Sequence, residues 1–238
     1  MRRKLFVTAA AMICGAVLAS CGGGSNAGSG SKIKKNEYLG NIPALYESYY
    51  TEIDALEKKV DAEGEKLMAG GEKNYGKVQK LFDDQKVKEK AMKEKFQADV
   101  KTEMEKIVGK DIPVSYSEQL RNSDMWYYDA TAKIGERRGE PILSITLTAK
   151  NEFTVPSMKA YDYNAYFRLV GKDGTPLKTS PSTIIPIKLE QQAQSFSKGD
   201  VLIDSYEGYG LSLSNYATEF ANFAGIEFIT KEEYNQTK

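Results

Sequence analysis

The residues of this chain that could carry out chemistry are carboxylates, tyrosines and two cysteines, because none of its 238 residues is histidine. Without histidine the chain cannot assemble a Ser-His-Asp or a Cys-His catalytic group. The usual zinc sites of histidine and clustered cysteine are excluded as well, since Cys14 and Cys21 are the only cysteines. We therefore expect no metal and no cofactor, and any acid–base chemistry would depend on carboxylates.

Cys21 directly follows a sequence with the features of an export signal. Residues 2–4 are basic, and residues 5–18 form an apolar run that is shorter than the ~20 residues needed to span a bilayer. The Leu-Ala-Ser of residues 18–20, followed by Cys21, resembles the lipobox of bacterial lipoproteins. The resemblance implies cleavage between Ser20 and Cys21 and attachment of acyl chains such as palmitate at Cys21. The alternative is an ordinary secretory signal followed by an incidental cysteine.

The segment after Cys21 indicates how the folded part is held at a membrane. Residues 22–31 read GGGSNAGSGS, a flexible tether with an r.m.s. span of roughly 16–19 Å. Surface-exposed lipoproteins of the Bacteroidetes often carry acidic residues just after the cysteine, whereas the first acidic residue here is Glu37. Position 22 is glycine, not the aspartate that retains enterobacterial lipoproteins in the inner membrane. By resemblance to Bacteroidetes-type envelope lipoproteins, we expect a lipid-anchored protein of the outer membrane that faces the periplasm.

The overall charge gives no sign of a nucleic-acid partner. The chain carries 33 basic and 33 acidic residues, and removal of residues 1–20 takes away three basic residues and no acidic one, which leaves a net charge of about −3. Without a clear basic patch, this charge argues against nucleic-acid binding. A disulfide in the mature chain is also excluded, because Cys14 is lost with the signal and Cys21 carries the lipid.

Paired carboxylates are candidates for catalysis, but their spacing does not favour it. A glycosidase needs two carboxylates that face each other across a cleft, ~5–10 Å apart. The adjacent pairs Asp83–Asp84 and Glu232–Glu233 lie on one helix or near the chain end and cannot supply that geometry. Five further carboxylates of the C-terminal half could converge in space: Glu136, Glu140, Asp200, Asp204 and Glu207. The sequence predicts a protein that is not an enzyme, with a carboxylate-dependent hydrolase of envelope glycans as the alternative.

The densest aromatic cluster is Trp126-Tyr127-Tyr128, which contains the only tryptophan of the chain. Such a cluster can stack against sugars or peptides. More often it is a buried edge of a β-core, with the tyrosine hydroxyls at its rim. We expect core packing and keep Trp126, Tyr127 and Tyr128 as candidate residues of a small-ligand site.

Residues 42–108 have the period of two amphipathic helices. The first is predicted over 42–69, and the second over about 74–108, with a Gly-Gly break between them. Apolar residues recur at steps of three and four along both: Ile42, Leu45, Tyr49, Ile53, Leu56, Val60 and Leu67, then Val78, Phe82, Met92, Phe96, Val100, Met104 and Ile107. The other faces are rich in lysine and glutamate. We expect an antiparallel coiled-coil hairpin with rods of ~40–50 Å.

After Pro113 the apolar period changes to two, which is typical of strands. Residues 143–149 alternate apolar and hydroxylic side chains, and Asp173-Gly174 marks a hairpin turn. The runs PILSITLTAKN and AYFRLVGKDGTPL loosely resemble the immunoglobulin-like domains of bacterial lipoproteins. This resemblance covers roughly residues 140–205, lacks the cysteine pair and tryptophan of antibody domains, and implies a β-sandwich but no functional residue. One short helix is predicted near residues 216–223, before a last strand at 226–229.

Together these patterns predict an α+β protein with four segments. They are a signal peptide (1–20), a lipidated cysteine and tether (21–40), a helical hairpin (41–110) and an antiparallel, immunoglobulin-like β-sandwich (113–238). We expect a membrane attachment through the N-terminal lipid and a protein partner or self-association through the hairpin. The predicted function is that of a non-enzymatic spacer and interaction or binding module, with the hydrolase and a small-ligand-binding lipoprotein as alternatives.

Overall fold

A computed structural model describes residues 33–155, 163–178, 183–186, 194–211 and 213–236. The predicted signal peptide, the Ser20–Cys21 cleavage site and the first part of the tether lie outside the described residues. Contacts divide the described chain into two units. We call residues 45–99 the hairpin unit, and residues 33–44 together with 100–238 the β-rich unit. The predicted α+β class is confirmed.

The hairpin unit is formed by two long helices, as the sequence predicted. Helix α1 spans Ile42–Ala69 and helix α2 spans Tyr75–Ile107. A single 3-10 turn, Glu72–Asn74, follows the two glycines that end α1. Gly71 has φ +83°, a left-handed conformation that favours glycine. The side-chain amide of Asn74 donates to the Leu67 carbonyl at 2.8 Å and so pairs one of the free carbonyls at the end of α1.

The two helices of the hairpin unit pack antiparallel through a narrow apolar seam. Near the turn, Val60 and Leu81 are fully buried against each other, surrounded by partly buried neighbours: Leu56, Leu67, Val78 and Phe82. Towards the other end, the Phe96 ring stacks on Tyr49 with ring centroids 4.4 Å apart, and meets the edge of Tyr46 at 4.9 Å. Most other side chains of this unit are partly or fully exposed, so a thin seam holds it together.

The described residues of the β-rich unit form ten strands. Their bounds are β1 Asp111–Ile112, β2 Val114–Tyr116, β3 Tyr128–Arg137, β4 Glu140–Ala149, β5 Phe153–Val155, β6 Asn164–Gly171, β7 Thr183–Pro186, β8 Gln194–Phe196, β9 Val201–Gly210 and β10 Phe223–Ile229. The first sheet has the order β1-β3-β4-β9 and the second β2-β10-β6-β7, while β5 and β8 form a two-stranded ribbon. All pairs are antiparallel except β2 and β10, which are parallel.

The core of the β-rich unit lies between the two four-stranded sheets. On β4 the predicted alternation is confirmed, since Leu143, Ile145 and Leu147 are fully buried and the intervening hydroxylic residues are not. The Tyr128 ring of the first sheet meets the Phe228 ring of the second with centroids 5.3 Å apart. This packing makes the two sheets the layers of one sandwich.

Three short helices complete the β-rich unit: α3 Glu118–Arg121, α4 Leu213–Phe220 and α5 Lys231–Gln236. The predicted C-terminal helix corresponds to α4, but Phe223 belongs to β10 instead of the helix. The alternating Ile185, Ile187 and Leu189 also predict a strand; Ile185 lies in β7, and residues 187–189 lie outside the described residues. β3 and β4 are consecutive strands of a tight hairpin.

Residues 33–40, which the sequence assigned to the tether, are folded into the β-rich unit. Asn36 is fully buried, and its amide nitrogen donates to three backbone carbonyls between residues 220 and 223, at 2.8–3.3 Å. Its amide oxygen accepts from the backbone N–H groups of Tyr38 and Leu39 at 2.8 and 2.9 Å. One buried side chain thus fixes the start of the folded chain to the turn between α4 and β10.

The C-terminal part of α2 also belongs to the β-rich unit. Val100, Met104 and Ile107 are buried there, together with Leu39 and Ile42 from the segment before α1. The division between the two units therefore crosses both helices. The boundary predicted near residues 111–113 lies inside the β-rich unit.

Candidate functional site

A cavity of about 350 Å³ lies in the β-rich unit. It lies where α3, the starts of β3 and β6, the end of β10 and the start of α5 meet. We call it the tyrosine cavity because three tyrosines line it. Its lining residues are Leu120, Ser123, Met125, Tyr128, Tyr163, Asn164, Tyr166, Ile229, Thr230, Lys231 and Glu232.

The aromatic wall of the cavity is supported by further rings. Tyr163, which is half-buried, meets Tyr127 edge-on with centroids 5.1 Å apart and stacks on Phe153 at 6.0 Å. Tyr166 packs on Tyr234 at 5.0 Å, in a buried cluster that includes Ile229. Because these rings pack on one another, the wall has little freedom to rearrange.

A hydrogen-bond network holds the polar side of the cavity. Thr230 and Glu233 form a capping box at the start of α5: the Glu233 carboxylate accepts from the Thr230 N–H at 2.9 Å, and the Thr230 hydroxyl accepts from the Glu233 N–H at 3.1 Å. The same carboxylate accepts from the Ser117 hydroxyl at 2.6 Å. Ser117 is the N-cap of α3, where its hydroxyl oxygen accepts from the Leu120 N–H. The network therefore joins the two short helices that flank the cavity.

The three predicted aromatic residues have different positions. Tyr128, 1% exposed, is both a core residue and part of the cavity lining. Tyr127, 6% exposed, lies behind Tyr163 and does not line the cavity. Trp126 is partly buried, packs on Tyr116 with centroids 5.0 Å apart, and carries the Lys150 ammonium 2.8 Å from its ring centroid. The structure thus brings one of the three to the cavity.

The buried tyrosines of this region remain neutral. Burial, the largest effect, raises the pKa of the Tyr127 hydroxyl, and the hydroxyls of Tyr163 and Tyr166 raise it further. Burial likewise raises the pKa of Tyr128 well above its ordinary value. Within the described residues, the Tyr127 hydroxyl and the indole N–H of Trp126 are buried without a hydrogen-bond partner. The hydroxyl groups of Tyr127 and Tyr128 are therefore protonated.

The five dispersed carboxylates do not form a site at the cavity. Glu136, Glu140, Asp200, Asp204 and Glu207 are all exposed, and none of them lines the cavity. Asp200 has a local role, since its carboxylate accepts from the Ser197 N–H at 2.7 Å in the turn before β9. Glu232 is the one carboxylate among the described residues that line the cavity.

The predicted pair Glu232–Glu233 separates into two roles. Glu233 is committed to the capping box and to Ser117, whereas Glu232 is exposed at the rim of the cavity. Across the described part of the chain, no group of three His, Cys, Asp or Glu residues is positioned to hold a metal ion. Within the same part, no helix combines the length and apolar composition needed to cross a membrane.

Comparison with known proteins found no matching family model, no similar curated protein and no similar solved structure.

Sequence reasoning missed the residues that complete the cavity. Tyr163 directly precedes β6 and Tyr166 lies in it, but nothing in the sequence shows that this strand starts beside residues 123–128. The spacing of Thr230 and Glu233 is the S/T-x-x-E signature of a capping box and could have identified α5. The meeting of α3 and α5 depends on the parallel pairing of β2 with β10, which local patterns do not specify.

Proposed function

We propose that this protein is a lipid-anchored, non-enzymatic protein of the bacterial cell envelope that acts by binding. The tyrosine cavity is the observation that carries the binding role. It has the size of a small-molecule site, a rigid aromatic wall and a polar rim, which is the usual composition of such sites. In this proposal the β-rich unit is the binding module, and the hairpin unit serves as a spacer and a surface for a protein partner or for self-association.

The lining of the cavity supports binding better than hydrolysis. A glycosidase places two carboxylates on opposite sides of the scissile bond. Among the described residues, Glu232 is the carboxylate that lines the cavity, because the neighbouring Glu233 is engaged with Ser117 and Thr230. Lys231 lies beside Glu232 at the rim and adds a positive charge, so the pair has no net charge.

The anchoring part of the proposal rests on the lipobox resemblance at Cys21. Two or three acyl chains would hold the protein firmly, since each buried methylene contributes about 0.8 kcal/mol. Residues 22–32 would then link the lipid to the folded segment that begins before Asn36. The proposal places the protein in the outer membrane, facing the periplasm.

Labelling with radioactive palmitate tests the anchor. The Cys21→Ala variant should lose the label and remain uncleaved, because the acylated sulfur is required before the signal is removed. Cys14→Ala is the matched control, because it removes the only other cysteine and should leave labelling unchanged. Full labelling of Cys21→Ala would refute the lipid anchor.

Complementation of a deletion strain tests the binding role. Ser123→Phe places a large ring in the cavity and should abolish complementation, whereas Glu136→Ala and Glu207→Ala, at exposed sites outside the cavity, should complement normally. Circular dichroism and protein abundance would show that each variant is folded and present. Loss of function from one of these exposed carboxylates, with Ser123→Phe active, would favour the hydrolase instead.

A further inference from the structure

We propose that the tyrosine cavity binds a neutral sugar unit, which stacks on the exposed side of Tyr163 and bonds through its hydroxyl groups to the polar rim. This inference rests on the proposed function and names the ligand class of its binding module. It depends on four features of the cavity, which are its size, its aromatic wall, its charge and its position in the sheet.

The size of the cavity selects small ligands. A volume of about 350 Å³ corresponds to roughly a dozen water molecules at ~30 Å³ each. It falls at the lower end of the ~300–1,000 Å³ range of small-molecule sites. An α-helix, with a diameter of ~10–12 Å including side chains, would not enter it. The occupant is therefore a ring or a short chain end.

The aromatic wall suits a ring with apolar C–H faces. Tyr163 is half-buried and presents part of its ring to the cavity, while Tyr127 and Phe153 hold that ring in place from behind. Met125, 44% exposed, also lines the cavity and can adapt its flexible side chain to the ligand. The lining thus combines a supported aromatic ring with an adaptable thioether.

The charges of the rim favour a neutral ligand. Lys231 and Glu232 are adjacent there, so an anion would be repelled by one and a cation by the other. A wholly apolar ligand would remove water from these groups and from Ser123 and Asn164 without replacing its hydrogen bonds, which costs free energy. A neutral ligand that carries hydroxyl groups avoids both penalties.

The position of the cavity argues against a peptide ligand. Peptides commonly bind by adding a strand to an exposed sheet edge. The cavity lies at the ends of β6 and β10, which are the two central strands of the order β2-β10-β6-β7 and are paired on both sides. Within the described residues, a peptide backbone cannot add to either of these two strands, so a ligand beside β6 and β10 is recognised through side chains.

The cavity is also organised before any ligand binds. The Glu233 carboxylate joins Ser117 at α3 to Thr230 at α5, so both flanking helices are fixed by hydrogen bonds. A preorganised site loses less conformational entropy when it binds. Weak ligands such as single neutral sugars gain most from this arrangement.

Calorimetric titration of the full-length protein in detergent tests the proposal. The probes are three neutral disaccharides (N,N′-diacetylchitobiose, cellobiose and maltose), two charged sugars (glucosamine and glucuronic acid) and N-acetyl-phenylalanine amide as a peptide mimic. Trp126, the only tryptophan, follows Met125 of the lining and provides a fluorescence signal for the same event. At least one neutral disaccharide should bind, and bind about tenfold more tightly than the charged sugars or the peptide mimic.

Matched variants locate the binding site. Tyr163→Ala should weaken the neutral sugar about tenfold through loss of stacking, and Tyr75→Ala, an exposed tyrosine of the hairpin unit, should not change it. Glu232→Ala should weaken binding as well, with Glu207→Ala as its control. If Tyr163→Ala does not fold, Ser123→Phe provides the same test by filling the cavity.

Each outcome has a defined meaning. Tighter binding of the peptide mimic, equal binding in Tyr163→Ala and Tyr75→Ala, or no binding of any neutral disaccharide would overturn the sugar proposal. Binding of a neutral disaccharide followed by cleavage of its glycosidic bond would retain the ligand class and overturn the non-enzymatic function instead. The palmitate labelling of Cys21→Ala tests only the lipid anchor, so its result neither supports nor overturns the sugar proposal.

Discussion

Replacement of Asn36 by alanine should lower the stability of the β-rich unit more than Thr230→Ala does. The side chain is fully buried and makes five hydrogen bonds to backbone groups. Its removal leaves the N–H groups of Tyr38 and Leu39 without their acceptor, and each buried unsatisfied group costs about 1–3 kcal/mol. We therefore expect a loss of about 2–6 kcal/mol in the free energy of unfolding.

Urea denaturation measures this loss by Trp126 fluorescence, because the tryptophan lies in the β-rich unit, while circular dichroism of the same samples follows the helices of the hairpin unit for the control. Asn74→Ala is the matched control. It also removes an asparagine amide that bonds to backbone, but it breaks only one partly buried bond, to the Leu67 carbonyl. Its expected cost is about 0.5–1.5 kcal/mol. If Asn36→Ala lies within about 0.5 kcal/mol of the wild type, the argument that this residue fixes the N-terminal segment is refuted.

Three further predictions follow from the same unit. A fragment of residues 113–238 should fail to fold alone, as judged by circular dichroism, because Leu39, Ile42, Val100, Met104 and Ile107 would be missing from its core; a cooperative thermal transition of this fragment would contradict us. Thr230→Ala should lower stability by about 0.5–2 kcal/mol through loss of the α5 cap, with Thr131→Ala, an exposed position on β3, as the unaffected control. Burial alone would raise the pKa of Glu103, but hydrogen bonds from Lys106 and the Asn41 N–H outweigh it and hold that pKa below its ordinary value. The stabilisation from Glu103 is therefore present above the pKa of an unfolded glutamate and is lost as the pH falls through its folded pKa, so Glu103→Gln should reduce the acid dependence of unfolding; an unchanged pH profile would contradict this.

The features that the sequence predicts correctly are those with a local periodic pattern. Helices α1 and α2 were predicted to within one residue at each end, because their apolar period is continuous and Gly70-Gly71 separates them. The alternation on β4 was equally clear. Each of these patterns is local, and each element is long enough to show its own period.

The segments that the sequence misassigned have short signals or distant partners. Asn36 lies in a polar stretch next to a Gly/Ser tether, and its partners are about 185 residues away in the sequence. Phe223 continues the helical period of α4, but pairing with β6 and burial in the core place it in β10 instead. Tertiary contacts override local preference at such positions.

Local sequence patterns also fail to predict which residues line the cavity. The sequence drew attention to Trp126, Tyr127 and Tyr128 because they are adjacent, but β3 begins only at Tyr128. Of the three, Tyr128 alone lines the cavity, and Tyr163, which directly precedes β6, completes the wall. The two adjacent glutamates near the C-terminus also have different roles. Glu233 belongs to the capping box of α5, whereas Glu232 lies at the rim of the cavity. The cavity forms because the pairing of β2 with β10 brings α3 and α5 together. Its ligand preference therefore depends on residues from several distant segments and not on a single sequence motif.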